Sequence, residues 1–332
     1  MFLGCVIGRR GIVYTAFSLW PCQKHYLKGY IFYRKQNRQM DKKKISQGPI
    51  AEVVHQAIEG SSDAVEEIVL QFRDRIYYLA LRMLSHPEDA KDATQDILIK
   101  VISNLKTFRF EGAFQAWVYR VAANHLNTVR KSRMERFEMN WEKAVRLVDQ
   151  AEAKGWLANP PAAPSKMLEI EVRLRCTQAL LTAMDRPHRL AFILGVVMDV
   201  SSREGAYILN ISPAAFRKRI SRARGHLKNF LAHHCGLFDG ANRCSCSGIL
   251  ANHLQNRWIR RDRPVFMKAE DKTQTNEWLK DCLRELDELN RVATLFKAYP
   301  ESRHPQEISE RIKGMVSEKK FRVLADDCGF QK

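Results

Sequence analysis

The sequence has no apolar run that approaches the roughly 18 residues of a membrane-spanning helix. Its longest apolar stretches, such as residues 191–198, lie inside helical patterns, and it shows neither an internal repeat nor a convincing strand. The eight cysteines are scattered apart from a group at Cys235, Cys244 and Cys246, which excludes the framework of a secreted disulfide-rich domain. These absences predict an all-α protein of the reducing cytoplasm, without membrane insertion.

Positive charge dominates what is present. The 332 residues include 55 Lys and Arg against 37 Asp and Glu, which gives a net charge of +18. Such an excess favours a polyanionic partner, nucleic acid first, although a membrane surface or an acidic protein would also suit it. The length allows two or three small domains, each with a core of its own.

The first 50 residues are set apart as an N-terminal extension, either not native or disordered. Met1–Trp20 is apolar and aromatic around two arginines, but it lacks a tidy signal-peptide cleavage site. Met40 is followed by hydrophilic residues and offers an alternative start. We therefore expect residues 1–39 to be an upstream addition to the folded protein.

Helical periodicity then divides the chain into further segments. Residues 51–136 are predicted to form a helical bundle, in which Asp63 with Glu66 resembles a capping box and Pro87 opens a helix with an acidic face. Residues 137–168 predict a flexible linker, because the proline-rich stretch 159–164 cannot continue a helix.

Helical spacing resumes over residues 169–232 and breaks once at Asp185-Arg186-Pro187, which predicts a second small helical domain. Residues 233–332 predict a mostly helical C-terminal extension. Within it, helical segments are expected at Trp278–Phe296 and near Glu307–Met315.

A helix-turn-helix pattern spans residues 200–220. Ser202 is predicted to cap a short helix, residues 210–211 make the turn, and Ser212 with Pro213 starts a second, basic helix. Such a helix fits the major groove of DNA, where its side chains reach base edges and phosphates. The plainer alternative is a solvated basic face on a structural hairpin. The candidate contacts to duplex DNA are Ser212, Ala214, Ala215, Arg217, Lys218, Arg219 and Arg222.

Two blocks of sequence resemble the extracytoplasmic function (ECF) group of bacterial sigma factors. Arg186–Leu227 resembles their promoter-binding C-terminal domain. Pro87–Leu105 resembles their polymerase-binding helix, and Phe110–Arg133 resembles the helix that captures the melted promoter element. The resemblance covers roughly half of the chain, and two blocks in this order are more specific than either alone. It implies a sigma region 2 bundle over residues 51–136 and a sigma region 4 helix-turn-helix over residues 169–232.

What the resemblance implies is a protein that directs RNA polymerase to promoters and performs no bond chemistry. Core RNA polymerase and promoter DNA are the implied partners, with an anti-sigma factor as a further candidate, and no cofactor is required. The implied polymerase contacts are Asp89, Asp92, Gln95 and Asp96, and the implied contacts to melted promoter DNA are Trp117, Arg120, Asn124, Asn127, Arg130 and Lys131. Taken alone, the acidic set also fits a solvated helix face, and Trp117 also fits a core position.

The sequence departs from the family's pattern at two sites, which comprise three residues. The first helix of the helix-turn-helix has Gly205 where isoleucine is usual, and glycine costs about 1 kcal/mol of helix propensity. The second helix has Ala215-Phe216 where Thr-Val is common, so the preferred base sequence does not follow from the resemblance.

A Cys/His group follows the basic helix. His233, His234, Cys235, Cys244 and Cys246 could supply four ligands for zinc, although their spacing is not that of a standard zinc finger. A thiol redox switch and ordinary free cysteines are the alternatives.

Two rival functions stay open at this point. The first is a stand-alone helix-turn-helix regulator that works without polymerase. The second is a nucleic-acid enzyme that uses the Cys/His group as a catalytic zinc site, and neither a glutamate beside the group nor converging carboxylates support it.

Overall fold

The computed structural model describes residues 47–158, 165–262, 264–267, 275–284, 286–299 and 306–318, all within the unit Ile45–Lys332. Over these residues the chain is all-α, as predicted, and its one β feature is an isolated bridge between Cys235 and Cys244. The helices are α1 (Gln47–Ile58), α2 (Ser62–Leu84), α3 (Pro87–Ser103), α4 (Phe114–Thr128), α5 (Arg133–Arg136), α6 (Trp141–Ala153), α7 (Lys166–Thr182), α8 (Arg186–Phe192), α9 (Ser202–Leu209), α10 (Pro213–His234), α11 (Cys246–Gln255), α12 (Asn276–Arg284), α13 (Glu288–Lys297) and α14 (Gln306–Ser317). The predicted N-terminal extension lies outside the described residues up to position 46.

Helices α1 to α4 form the N-terminal bundle. The apolar stripe of α2 is buried against α1, α3 and α4. The cap of α2 is Ser61, whose hydroxyl accepts the N–H of Ala64 at 3.3 Å. The predicted Asp63–Glu66 capping box is therefore wrong, because Asp63 already lies in the first turn. Pro87 begins α3 as predicted, with the His86 side chain as its cap.

The segment predicted as a linker contains helix α6. Asn140 caps it, with its side-chain oxygen 2.8 Å from the N–H of Lys143. Only Ala144 and Ala151 of α6 are buried. Trp141, Ala144 and Val148 nevertheless recur at helical spacing, so the sequence did carry a signal for this helix. Trp141 stacks on His226 of α10 with ring centroids 5.8 Å apart, which places α6 against the basic helix.

The C-terminal helices pack on the bundle and on each other. Helix α8 begins after the cap Asp185, continues through a π-helical turn at Ile193–Val197, and packs against α10. The expected single segment Trp278–Phe296 is two helices: α12 ends at Arg284, and Asp287 caps the start of α13. No helix in the described part of the chain is long and apolar enough to cross a membrane.

The extension is held by a buried carboxylate. Glu171 of α7 is fully buried and accepts three consecutive backbone N–H groups, from Val265 at 3.0 Å, Phe266 at 2.8 Å and Met267 at 3.0 Å. Arg175 donates to the same carboxylate at 2.9 Å. Successive amides that point at one anion form a nest, so the C-terminal extension supplies most of this group's hydrogen bonds.

Candidate nucleic-acid interface

The helix-turn-helix consists of α9 and α10, joined at Asn210 in the left-handed conformation, with φ of 52°. Ser212 caps α10 by accepting the N–H of Ala215 at 3.1 Å, and Pro213 is its first residue, both as predicted. The predicted cap Ser202 is wrong by one residue. Ser201 caps α9, because Glu204 lies three residues after it and completes a capping box.

The predicted contacts to duplex DNA share one side of α10. Phe216, Ala223, Leu227 and Leu231 are buried on the side of α10 that faces the protein. Ser212, Ala214, Arg217, Lys218 and Arg222 are exposed, while Ala215 and Arg219 are partly exposed. The helix therefore presents cations and short side chains outward from a fixed apolar seam, which is the arrangement that groove reading requires.

The two departures at Gly205 and Phe216 explain each other. Phe216 is fully buried, and a Cβ added at Gly205 would lie 2.2 Å from its ring. The phenylalanine ring thus occupies the space that a side chain at position 205 would need. The large side chain of Phe216 in α10 and the absence of a side chain at Gly205 in α9 therefore compensate for each other in packing.

We expect Gly205→Ala to destabilise the protein, although alanine is the better helix former. Overpacking of this kind costs about 1–3 kcal/mol, more than the roughly 1 kcal/mol gained in propensity. In a Phe216→Val background the same change should become neutral or stabilising. Urea unfolding of the four proteins in this cycle measures the coupling.

Gly225 in α10 provides the matched control, because a Cβ there would meet nothing within 4 Å. Gly225→Ala should stabilise by about 1 kcal/mol in either background. A Gly205→Ala protein as stable as the Gly225→Ala protein would contradict the packing argument.

The predicted contacts to melted DNA lie on and after α4. Trp117 is half-buried and stacks on Phe114 with centroids 5.6 Å apart, so it is part of an aromatic group in the bundle. Asn124, Asn127, Arg130 and Lys131 are exposed.

Arg120 has a different environment from the others, because α9 packs against α4. Its guanidinium lies over the ring of Tyr207, 5.1 Å from the centroid, and its Nη2 is 3.5 Å from the side-chain oxygen of Asn210. The helix-turn-helix therefore covers one of the cations that the sequence assigns to the opened strand.

The acidic set lies along α3. Asp92 and Asp96 are exposed, and Asp89 and Gln95 are partly exposed. Asp89 lies 3.6 Å from His86, and Asp96 lies 3.9 Å from the ring of His125 on α4. Burial and the nearby Lys100 lower the pKa of His125, while Asp96 raises it. The acidic face is thus open for a basic partner along most of its length.

Sequence reasoning missed an ionic cluster that joins the two modules. Glu135 of α5 is buried and accepts from Arg186 at 2.9 and 2.7 Å and from Arg189 at 2.9 Å. Burial raises the pKa of Glu135, but hydrogen bonds from Arg186 and the Ser132 N–H, with the two arginine charges, lower it to about 2. Ser132 and Glu135 form a capping box, and that spacing was the available signal.

The two arginines also bind carbonyls at helix ends. Arg186 donates to the carbonyl of Val129 at 2.6 Å and to that of Asn127 at 3.1 Å, and Arg189 donates to the carbonyl of Met83 at 2.5 Å. These carbonyls end α4 and α2, so the cluster fixes α8 against the N-terminal bundle.

The Cys/His group is only partly brought together. His233 bonds the carbonyl of Asn229 through Nδ1 at 2.7 Å, and His234 packs on Phe230 with centroids 5.0 Å apart. In the part of the chain that the structure describes, no three His, Cys, Asp or Glu side chains are already placed to hold a metal ion. Cys176 of α7, a lone cysteine in the sequence, joins Cys244 and Cys246 at one apolar cluster.

The chain is similar to known sigma factors. Residues 68–134 match the sigma-70 region 2 family. The chain is 28% identical over 182 residues to "ECF RNA polymerase sigma factor SigW" of Bacillus subtilis, which covers 54% of this chain and 94% of that protein. It is 30% identical over 171 residues to "ECF RNA polymerase sigma factor SigE" of Mycolicibacterium smegmatis, covering 51% of this chain and 62% of that protein.

A solved structure of CnrH in complex with the cytosolic domain of CnrY aligns at a TM-score of 0.39 and 23% identity, covering 54% of this chain and 95% of that one. The sequence matches carry the assignment, and the expected resemblance is confirmed by them. Residues 68–134 thus match sigma-70 region 2, and over about half of its length the chain is similar to ECF RNA polymerase sigma factors.

Proposed function

We propose that this protein directs core RNA polymerase to promoters. The observation that carries the proposal is the sigma-70 region 2 match over residues 68–134, followed in the same chain by a capped helix-turn-helix with an outward basic face. In this proposal α10 reads the upstream duplex and α4 with the basic residues after it holds the melted strand. The acidic face of α3 binds polymerase.

Binding energy comes from different sources at the two DNA sites. At the duplex, Arg217, Lys218 and Arg222 neutralise phosphates or bond base edges, which makes binding salt dependent. At the melted strand, Trp117 supports the aromatic group and the exposed Asn and Arg side chains bind the backbone or flipped bases. Arg120 must exchange its contacts with Tyr207 and Asn210 for contacts with DNA.

The remaining parts of the proposal follow from this activity. The protein itself catalyses no bond chemistry, and it acts in the cytoplasm, where polymerase and DNA are found. An anti-sigma factor is a further proposed partner. A stand-alone helix-turn-helix regulator is the rival that the relatives do not favour.

Run-off transcription with core polymerase and genomic promoter fragments tests the proposal. A specific transcript that needs both core enzyme and this protein is expected. If the protein neither associates with core polymerase nor yields any specific transcript, yet binds an operator alone, the rival function is correct.

Charge reversal on α3 should separate polymerase binding from DNA reading. We expect much less core enzyme to co-purify with the double variant Asp92→Arg with Asp96→Arg. The new arginines would repel the basic surface of polymerase that the acidic face of α3 is proposed to bind. Glu142→Arg with Asp149→Arg is the matched control, since both residues are exposed on the helix α6. Equal retention of polymerase by the two double variants would show that α3 is merely solvated.

A further inference from the structure

Two aromatic side chains from distant parts of the chain meet at the surface beside the end of α5. Phe137 follows the last residue of α5 and is 47% exposed. Trp258 belongs to the C-terminal extension, follows α11 and is partly buried. The two rings are nearly perpendicular, with centroids 5.9 Å apart and an interplanar angle of 78°. Their contact supports Phe137 from one side and leaves nearly half of it open to solvent.

Backbone and side-chain contacts hold both rings in place. The N–H of Trp258 donates to the carbonyl of His253 at 2.8 Å, and the two rings pack with centroids 5.5 Å apart. Lys143 of α6 donates from Nζ to the carbonyls of Phe137 at 3.3 Å and Glu138 at 3.0 Å, and its ammonium lies 5.8 Å from the centroid of the phenylalanine ring. Because the rings are already positioned, a ligand would order few side chains on binding.

Arg257, next to Trp258, has an unfavourable backbone conformation. Its φ is 55°, in the left-handed region where glycine is usual after a helix. A side chain is less stable than glycine in this conformation, so stability alone would favour glycine here. The chain instead places an exposed arginine beside the tryptophan.

Positive charge dominates the two segments that carry the rings. Residues 130–143 and 256–262 hold eight Lys and Arg against four Asp and Glu. One of the four acids is Glu135, which is buried and already paired with Arg186 and Arg189. The cations of these segments with exposed or partly exposed side chains include Lys131, Arg136, Lys143, Arg257, Arg260 and Arg261. A polyanion therefore suits this surface.

The rings adjoin the cations that are proposed to hold the melted strand. Arg136 donates from Nη1 to the carbonyl of Lys131 at 3.0 Å, and the Lys131 ammonium lies 3.9 Å from the Glu138 carboxylate. Phe137 lies between Arg136 and Glu138 in the sequence, so its ring is close to the exposed Arg130 and Lys131. A strand bound after α4 could continue directly onto this ring.

We propose that Phe137, supported by Trp258, is a stacking platform for an unpaired DNA base. The platform would extend the melted-strand site of α4 onto the C-terminal extension, and it rests on the proposed function, because the strand concerned is that of an opened promoter. An aromatic ring can accept the face of a base that is unstacked, whereas a duplex keeps its base faces covered. The neighbouring cations would bind the phosphates and add a salt-dependent share of the affinity.

Anisotropy of a fluorescein-labelled oligothymidylate of about 15 nucleotides, titrated with the full-length protein in low salt, tests the platform. Phe137→Leu keeps an apolar side chain but removes the ring, and it should weaken binding about fivefold or more, as expected for the loss of one base–aromatic stack. Phe137→Tyr keeps the ring and should bind as the wild-type protein does. Trp258→Ala should weaken binding as well. Leu289→Ala is the control and should leave binding unchanged, since Leu289 is 48% exposed on α13, outside these segments.

A strand of the same length without bases separates stacking from charge. The wild-type protein should bind oligothymidylate more tightly than the abasic strand. Phe137→Leu should lose most of this preference and bind the abasic strand as well as the wild-type protein does. Arg257→Ala should weaken binding of both strands, because phosphates are present in both.

Several results would overturn the platform. These are a wild-type protein that does not bind oligothymidylate, a Phe137→Leu protein with wild-type affinity, and an equal loss of affinity in Leu289→Ala. Tighter binding of oligouridylate would assign the surface to RNA and reject DNA as its ligand. If Trp258→Ala does not fold, the comparison of Phe137→Leu with Phe137→Tyr still decides, because both substitutions are made at a side chain that is nearly half exposed.

The binding assay contains no polymerase, so its outcome is separate from that of run-off transcription. A protein that yields no transcript but shows the expected binding pattern would contradict the proposed function alone. A protein that supports transcription while Phe137→Leu binds oligothymidylate normally would contradict only the platform.

Discussion

Glu135→Gln should lower the free energy of unfolding by about 3–5 kcal/mol, the usual cost of removing one partner from a buried ion pair. The substitution keeps the size of the side chain but leaves the buried Arg189 and the partly buried Arg186 without a counter-charge. Because these arginines hold α8 to the ends of α2 and α4, we expect the whole described unit to become less stable. Urea unfolding followed by circular dichroism gives the value.

The exposed pair of Glu152 and Arg243 supplies the control for Glu135→Gln. Its side chains are 44% and 81% exposed, and such surface pairs contribute about 0–1 kcal/mol. Glu152→Gln should therefore change stability little. If the two glutamine variants lost equal stability, the buried Glu135 cluster would not stabilise the packing of α8 on the N-terminal bundle.

Acid should weaken the ion pairs of Glu135 with Arg186 and Arg189 in the wild-type protein. The pKa of Glu135 is lowered from 4.5 to about 2 in the folded chain, so its stabilising contribution is full above the ordinary value. That contribution, about 3 kcal/mol at 1.36 kcal/mol per pKa unit, is lost as the pH falls from 4.5 through 2. The Glu135→Gln variant should show a shallower loss of stability over this window, and an identical acid profile would contradict the assignment.

Replacing Arg217 and Lys218 with alanine should reduce promoter-directed transcription at least tenfold. Each good contact to a base is worth about 1–3 kcal/mol, and phosphate contacts add a salt-dependent share. Both side chains are exposed on the first turns of α10, away from its buried seam, so the fold and polymerase binding should be retained. Run-off transcription and co-purification with core enzyme measure the two properties separately.

Arg284→Ala with Arg311→Ala removes the same charge from exposed positions of α12 and α14 and serves as the comparison. A general loss of positive charge would weaken both double variants alike. If transcription by the Arg217→Ala, Lys218→Ala protein were intact, α10 would not be the helix that reads the promoter.

Local signals in the sequence predicted much of this structure. Pro87 and Pro213 mark the starts of α3 and α10 because a proline fixes the first helical turn whatever surrounds it. The error at Ser202 was avoidable, since Glu204 lies at capping-box distance from Ser201. Helix α6 was overlooked as well, although Trp141, Ala144 and Val148 recur at helical spacing ahead of the proline-rich stretch.

Contacts between distant segments could not be read in this way. Glu135 meets its arginines across more than 50 residues, and the amides that bind Glu171 come from more than 90 residues away. Nothing near Cys176 in the sequence indicates its neighbours in space, because these include Ala151 of α6 and Ile249 of α11. Such groups become visible only when packing brings their elements together.

The amide nest around Glu171 makes the stability of the protein depend on its C-terminal extension. A protein that ended before residue 265 would lack the three backbone amides that bind the Glu171 carboxylate. Those amides take the place of water around this charge. Relatives without such a tail should therefore carry a neutral or apolar residue at the corresponding position of α7. The tail and this single glutamate would then be gained or lost together as the family diversified.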